Sequence, residues 1–361
     1  MMNNTTVSLK QEEKVQLKLR ELYEKYGYSR FKMSKFEEYD LYSQNKEFLV
    51  SDSVITFTDT NGKLMALKPD VTLSIVKNTV ETTNGVQRVY YNENVYRVSD
   101  NTHSYKEIMQ SGLECIGNVG TYDLCEVLLL AAESLQEISN DSVLNISHLG
   151  IVSTLLEQPE FRGVRKQMLT YIGEKNPHEV SRICKERGIA VPMMELLCYL
   201  CRGYGPALQV LTGLEAINPF SEISEAIAQL KTVTTVLEKT TSVKVFIDLS
   251  LVSNTNYYNG LIFRGYVKDI PTDVLRGGQY DKLMKRLGKT HKAIGFAVYL
   301  DALERIAKDS PYDADVLLTY RETDDIEGVL IRALALRKEG KRVDVQPCVP
   351  EKKNYEQKIE M

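Results

Sequence analysis

The feature that most restricts how this chain can fold is a series of strand-like runs joined by loops too short to hold crossover helices. Residues 54–67, Val-Ile-Thr-Phe-Thr-Asp-Thr-Asn-Gly-Lys-Leu-Met-Ala-Leu, read as two strands around Asn61-Gly62, the dipeptide that supplies the positive φ values of a tight hairpin. Further strand-like runs cover 86–98 and 106–117. Parallel neighbours need a connection of about a dozen residues or more, so these short loops favour an antiparallel sheet. From about Thr121 to Thr240 the period becomes helical, with no strand run of comparable strength. Val243 to Val252 and Leu261 to Val267, flanking Asn259-Gly260, then return to sheet. The economical picture is an α+β fold: an antiparallel sheet flanked by helices and interrupted by a helical insertion at about 151–240.

Both ends of the chain add detail. Ser8 with Gln11 is a capping-box candidate, Leu19, Leu22, Tyr23 and Tyr26 form a helical stripe, and Gly27 follows as a stop. Pro69 suits a first helical position and opens a helix through about Thr79. Beyond Pro311 a strand from Ala314, a helix over Asp325 to Glu339 stopped by Gly340, and a strand from Arg342 make a small strand-helix-strand tail. With 361 residues the chain exceeds one ordinary core, and the pattern divides it into a core over 1–310 and a tail over 311–361.

Composition excludes more than it specifies. Hydrophobic residues at 43% and charged residues at 26% describe a globular chain, and a net charge of −4 argues against a protein whose main work is gripping a polyanion. The six cysteines have no disulfide-framework spacing; Cys198 and Cys201 sit in a helical apolar run and read as buried helix residues, so no metal and no cofactor are expected. No basic-then-apolar leader opens the chain and no apolar stretch approaches the ~20 residues of a membrane span, which together suit a cytoplasmic protein.

Three segments carry polar residues in positions odd for packing alone. In Glu107-Ile-Met-Gln-Ser-Gly-Leu-Glu-Cys-Ile116, alternation puts Gln110, Gly112 and Glu114 on one strand face, two polar heads around a residue without a side chain. A half-solvated antiparallel strand would look the same. In Leu67-Lys-Pro-Asp-Val-Thr72, Asp70 and Thr72 fall in the first turn of a helix, where an acidic residue also simply complements the helix dipole. Tyr257 and Tyr258 precede the Asn259-Gly260 turn, a place where tyrosine pairs commonly serve packing.

Taken in order, these segments resemble the histidyl-tRNA synthetase branch of the class II aminoacyl-tRNA synthetases, from about Lys10 to Arg305. Leu67-Lys-Pro-Asp-Val-Thr72 is similar to that family's Leu-Arg-Pro-Glu-Gly-Thr, Val95-Tyr-Arg97 with Gln110-Ser-Gly-Leu-Glu114 to its motif 2, Tyr257-Tyr258 to its histidine-specific tyrosine pair, and Arg276-Gly-Gly-Gln-Tyr-Asp-Lys-Leu283 to its Gly-Gly-Arg-Tyr-Asp-x-Leu. The resemblance implies a histidine site made of Asp70, Thr72, Arg97, Gln110, Glu114, Tyr257 and Tyr258. Glu114 would accept from an imidazole N–H, the Tyr258 hydroxyl would serve the other ring nitrogen, Asp70, Thr72 and Gln110 would take the ammonium group, and Arg97 would meet a carboxylate or phosphate.

Departures from the pattern cluster on one function. Ser253 stands where the family has the arginine of Leu-Val-Arg-Gly-Leu-Asp-Tyr-Tyr, and Tyr299 and Ala302 stand where its motif 3 has glycine and arginine. Ser99 and Asp100 follow Val98 where motif 2 carries acidic and basic members, and Ser34 stands near the proline of motif 1. Adenylate formation needs fixed cations around the leaving pyrophosphate, and each one lost commonly costs about 10²–10³ in rate. This profile, with Asp70-Val71 in place of Glu-Gly, resembles the regulatory subunits of short-form ATP phosphoribosyltransferase. That resemblance implies a subunit with no catalytic residues of its own, a homodimer within a hetero-octamer with the short catalytic subunit, histidine as feedback effector, and tRNA as an unlikely partner because the tail matches only half of an anticodon-binding domain. An aminoacylating histidyl-tRNA synthetase, or a synthetase-like sensor of tRNA or histidine, is the alternative.

Overall fold

Apolar residues spaced three and four apart place one stripe of the first helix in the core. In α1 (Gln11–Lys25) Val15, Leu19 and Tyr23 are buried, and Gly27 ends the helix at φ +79°. The computed structural model describes residues 9–49, 54–79, 85–98, 103–252, 255, 257–306 and 311–361, so the expected Ser8 cap lies outside the described residues. The side chains of 304–306, Arg305 among them, are likewise outside the description.

After α1 come β1 (Ser29–Arg30), β2 (Phe36–Glu38), α2 (Tyr39–Ser43), β3 (Thr56–Thr58) and β4 (Leu64–Leu67). The Asn61-Gly62 hairpin is present, with Gly62 at φ +80°, but β3 and β4 join β2 in a small antiparallel sheet of their own. Next, α3 (Thr72–Asn78) begins three residues later than the Pro69 signal suggests. An Asp70 carboxylate oxygen accepts from the Leu73 N–H at 2.8 Å and so satisfies one of the helix's orphan donors.

The paired runs β5 (Val86–Val98) and β6 (Tyr105–Gly117) match residue for residue along their length. α4 (Thr121–Ile138) follows, and then β7 (Ser142–His148), a strand within the stretch 121–240 that the sequence reads as helical with no strand run of comparable strength. Its apolar Leu144 and Ile146 do alternate with Val143, Asn145 and Ser147, but seven residues with polar side chains on one face carry little signal between two strong helical patterns. The helical stretch continues through α5 (Leu149–Leu156), α6 (Arg165–Gly173), α7 (Pro177–Glu186) and α8 (Val191–Arg202), where Cys198 and Cys201 are buried. It closes with a short β8 (Tyr204–Pro206), α9 (Ala207–Ile217) and α10 (Ser224–Thr240). β9 (Lys244–Asp248), β10 (Leu261–Val267), β11 (Leu275–Gln279), α11 (Asp281–Arg286) and β12 (Lys292–Tyr299) complete this part.

The main sheet has the order β1-β5-β6-β12-β11-β10-β7-β9-β8. Its pairs are antiparallel except β1 with β5 and β7 with β9. Because β7 lies between β9 and β10, Asn259-Gly260 does not close a hairpin between those two strands. Gly260 instead offers its carbonyl to the Leu149 N–H at 2.9 Å, and the Asn259 N–H donates to the Gln279 carbonyl at 3.0 Å. One sheet face is packed by α1 and α4, where Phe296 meets the rings of Tyr23 and Phe263 edge-on at 6.1 and 6.2 Å. The opposite face carries Val89, Tyr91, Val95, Ile116, Tyr280 and Ala293 in a second core with α3 and α11.

Residues 15–305 form one compact unit, and 306–361 with the start of the chain form another. In the second unit β13 (Ala314–Thr319), α12 (Ile326–Lys338), β14 (Val343–Gln346) and β15 (Tyr355–Glu360) make a parallel sheet in the order β14-β13-β15. The strand-helix-strand tail therefore has one strand more than expected. Tyr-Glu-Gln-Lys-Ile-Glu is mostly exposed on an edge, so no apolar run betrays it.

Candidate functional site

Strand alternation decides which side chains share the open face of the sheet. Gln110, Gly112 and Glu114 of β6 lie opposite Tyr299, Ala297 and Gly295 of β12, and the last two lie opposite Arg276 and Gly278 of β11. Three glycines and an alanine make a low floor between larger walls. A side chain added at Gly295 would collide with the Glu114 carboxylate, and one at Gly278 would come within 2.8 Å of the Tyr258 ring, so the floor must stay bare.

All seven residues expected from the sequence, Asp70, Thr72, Arg97, Gln110, Glu114, Tyr257 and Tyr258, line one cavity above this floor. Its volume is about 60 Å³, room for a ring-sized group and well short of the several hundred Å³ of sites for larger ligands. Glu114 is 2% exposed at its inner end. One carboxylate oxygen accepts from the Thr72 hydroxyl at 2.7 Å and the other from the Tyr280 hydroxyl at 2.6 Å. In its ionised form each oxygen keeps a further lone pair, so the group can still accept from a ligand N–H. Burial pushes this carboxyl up to about 8, against the pull of those two hydroxyls.

Asp70 also has its pKa raised by burial, opposed by the Leu73 and Thr72 backbone N–H groups and by Arg97. Arg97 is anchored by its Nε donating to the Pro69 carbonyl at 3.0 Å. Tyr257 and Tyr258 meet edge-on with ring centres 4.7 Å apart, and Tyr257 also packs on Tyr280 and Phe48. Behind the cavity the fully buried Lys68 pairs with Glu93 at 2.9 Å, which fixes the segment that carries Asp70 and Thr72 onto β5.

The outer end of the cleft is built differently. Arg276 is held by both oxygens of Asp273, and its guanidinium lies over the Tyr299 ring, 5.6 Å from the centroid. Tyr299 thus occupies, with Arg276 against it, the side where the resembling family keeps glycine. Ala302 lies in the short helical stretch Leu300–Ile306, while Ser253, Ser99 and Asp100 lie outside the described residues. Among the described residues no group of three or more His, Cys, Asp or Glu is placed to hold a metal ion, and no helix is long and apolar enough to cross a membrane.

Sequence reasoning missed Tyr91 and Asp273, and quoted Arg276 and Tyr280 only within the Arg276–Leu283 resemblance without placing them in the site. Tyr280 was within reach, because carrying the period-two alternation of β11 one residue past its end puts Tyr280 with Arg276 and Gly278 on one face. Tyr91 faces the cavity from β5 by the same rule, but in a tyrosine-rich strand nothing distinguishes it from packing.

A sequence-family model described as Histidyl-tRNA synthetase matches residues 6–303. A curated relative from Oceanobacillus iheyensis, named ATP phosphoribosyltransferase regulatory subunit, is 30% identical over 332 residues, covering 89% of this chain and 81% of the relative. The structure titled ATP phosphoribosyltransferase regulatory subunit/histidyl-tRNA synthetase from Bacillus halodurans superposes with a TM-score of 0.78 at 22% identity, covering 97% of this chain and 93% of that one. A chain of the ATP phosphoribosyl transferase (HisG:HisZ) complex from Thermotoga maritima matches with a TM-score of 0.64 at 22% identity, over 81% of this chain and 98% of that one. At those identities the two structures establish the class II synthetase-like fold.

Proposed function

We propose, from the premise that this chain belongs to the histidyl-tRNA synthetase family and within it to the ATP phosphoribosyltransferase regulatory subunits, that it binds histidine and regulates a separate catalytic subunit. The chain itself performs no chemistry in this reading. The observation that carries it is the contrast within one cleft: an inner end furnished with Glu114, Thr72, Tyr258 and Asp70, and an outer end lined by Tyr299 and Arg276, with Gln110 opposite Tyr299. The absence of an arginine at Ala302, together with the small cavity, supports binding without activation.

Histidine would enter ring first. The imidazole donates an N–H to Glu114, already oriented by Thr72 and Tyr280, and the Tyr258 hydroxyl meets the second ring nitrogen. Asp70 and Gln110 accept from the ammonium group, and Arg97 takes the carboxylate. Feedback requires that the occupied pocket favour one conformation of the assembly. A coupling of about 1–3 kcal/mol would change affinity at the partner's site roughly 5–150-fold. The partner in this reading is the short-form catalytic subunit, in a hetero-octamer built on homodimers of this chain in the cytoplasm.

Co-expression with a short-form catalytic subunit tests the proposal. The two chains should copurify, phosphoribosyl transfer should appear only in the complex, and histidine should inhibit it. A catalytic subunit that is fully active alone and ignores this chain would refute the assignment.

A further inference from the structure

A second cavity, of about 540 Å³, lies on the same open face of the sheet as the ring-sized pocket, on the other side of Arg264. That arginine faces Arg276 across β11 and Asn145 across β7, and it lines both cavities. The floor is polar and buried. Asn145 is 6% exposed, and its side-chain oxygen has no hydrogen-bond partner among the described residues. Asp248, 5% exposed, accepts from the Ser250 N–H at 3.1 Å and the Ser250 hydroxyl at 2.5 Å with one oxygen, and from the Lys175 ammonium at 3.1 Å with the other.

Lys175 follows the end of α6 in the left-handed region, φ +57°, a position where glycine is the usual occupant. A lysine there brings an ammonium to the cavity wall, between Asp248 and the Tyr204 ring, 4.7 Å from its centre. The volume is in the range of small-molecule sites, about 300–1,000 Å³.

The geometry points to a second small-molecule site in this cavity, for a ligand that combines an anionic group with hydroxyl donors, a sugar phosphate by class. Arg264 and Lys175 attract the anion. The unpartnered Asn145 oxygen and the remaining lone pair on the Lys175-bound oxygen of Asp248 accept from hydroxyls. A purely apolar ligand would leave the Asn145 oxygen unpaired, and a bare anion would meet Asp248 with nothing to offer it. The inference stands apart from the histidine reading, since it uses different residues.

Calorimetric titration of the full chain with ribose 5-phosphate, with ribose, and with inorganic phosphate tests it. Ribose 5-phosphate should bind saturably and more tightly than either fragment. Asn145→Leu and Lys175→Gly should each weaken it roughly ten- to hundredfold, the loss expected for hydrogen bonds to a charged or buried group, and leave histidine binding as in the parent. Glycine at 175 relieves the left-handed backbone, so that variant decides the matter alone if Asn145→Leu fails to fold. No saturable binding of ribose 5-phosphate, binding no tighter than that of phosphate, or unchanged affinity in Lys175→Gly would each overturn the proposal.

Discussion

The two ends of the cleft share a sheet and differ in what their side chains are bonded to. At the inner end Glu114 is fixed by Thr72 and Tyr280 yet retains capacity to accept from a guest. At the outer end Arg276 spends its paired donors on Asp273 and its flat face on Tyr299. One end is organised around a space, the other around itself. Two ends of one cleft can therefore differ in what they offer a guest: Tyr299 with Arg276 against it is engaged within the protein, while Glu114 keeps room to accept.

Substitutions at the inner end should break this contrast most. Glu114→Ala removes the acceptor at the bottom of the cavity, and histidine affinity should fall by about 2–5 kcal/mol, roughly thirtyfold or more, in a calorimetric titration. Glu114→Gln sharpens the electrostatic side. Its folded-state pKa is raised from 4.5 to about 8, so between those values the folded chain holds a proton that the unfolded chain releases. That contribution to stability is complete below pH 4.5 and is lost as pH rises toward 8. The melting temperature of the ligand-free protein should show the corresponding decline across this window, and Glu114→Gln should lack it.

Gly295→Ala forces a methyl group against the Glu114 carboxylate and should cost about 1–3 kcal/mol of stability in denaturant unfolding, with weakened histidine binding. Tyr258→Phe removes a single hydroxyl and should reduce affinity by about 0.5–1.5 kcal/mol. The smallest effect belongs to the outer end. Tyr299→Gly should leave histidine affinity within about 0.5 kcal/mol and should not restore adenylate formation, because it supplies no cation where Ala302 stands. Histidine-dependent exchange of pyrophosphate into ATP by that variant and not by the parent would show that Tyr299 alone decides whether the cleft activates histidine.

The cavity wall was legible because its residues lie in order along segments with recognisable neighbours. Strand alternation alone puts Gln110, Gly112 and Glu114 on one face. The hairpin of β5 and β6 was legible for the same reason, since long runs of period two leave few alternatives. β7 and β15 were not, because a strand whose one face is polar, or whose position is an edge, offers no contiguous apolar run. The Asn259-Gly260 segment misled in another way: a turn signal is local, while its partner strand is chosen by the whole sheet, and β7 took the place beside β10. Asp273 and Tyr299 could not be paired from sequence at all. They meet only through Arg276, whose neighbours on β12 are set by register.

The central claim is that the inner pocket binds histidine without activating it, and a calorimetric titration of the purified chain with histidine, run with and without ATP, tests it most directly. The expected result is saturable binding at one site per chain with an affinity that ATP leaves unchanged. Absence of any histidine binding, or binding that requires ATP and releases pyrophosphate, would contradict the account.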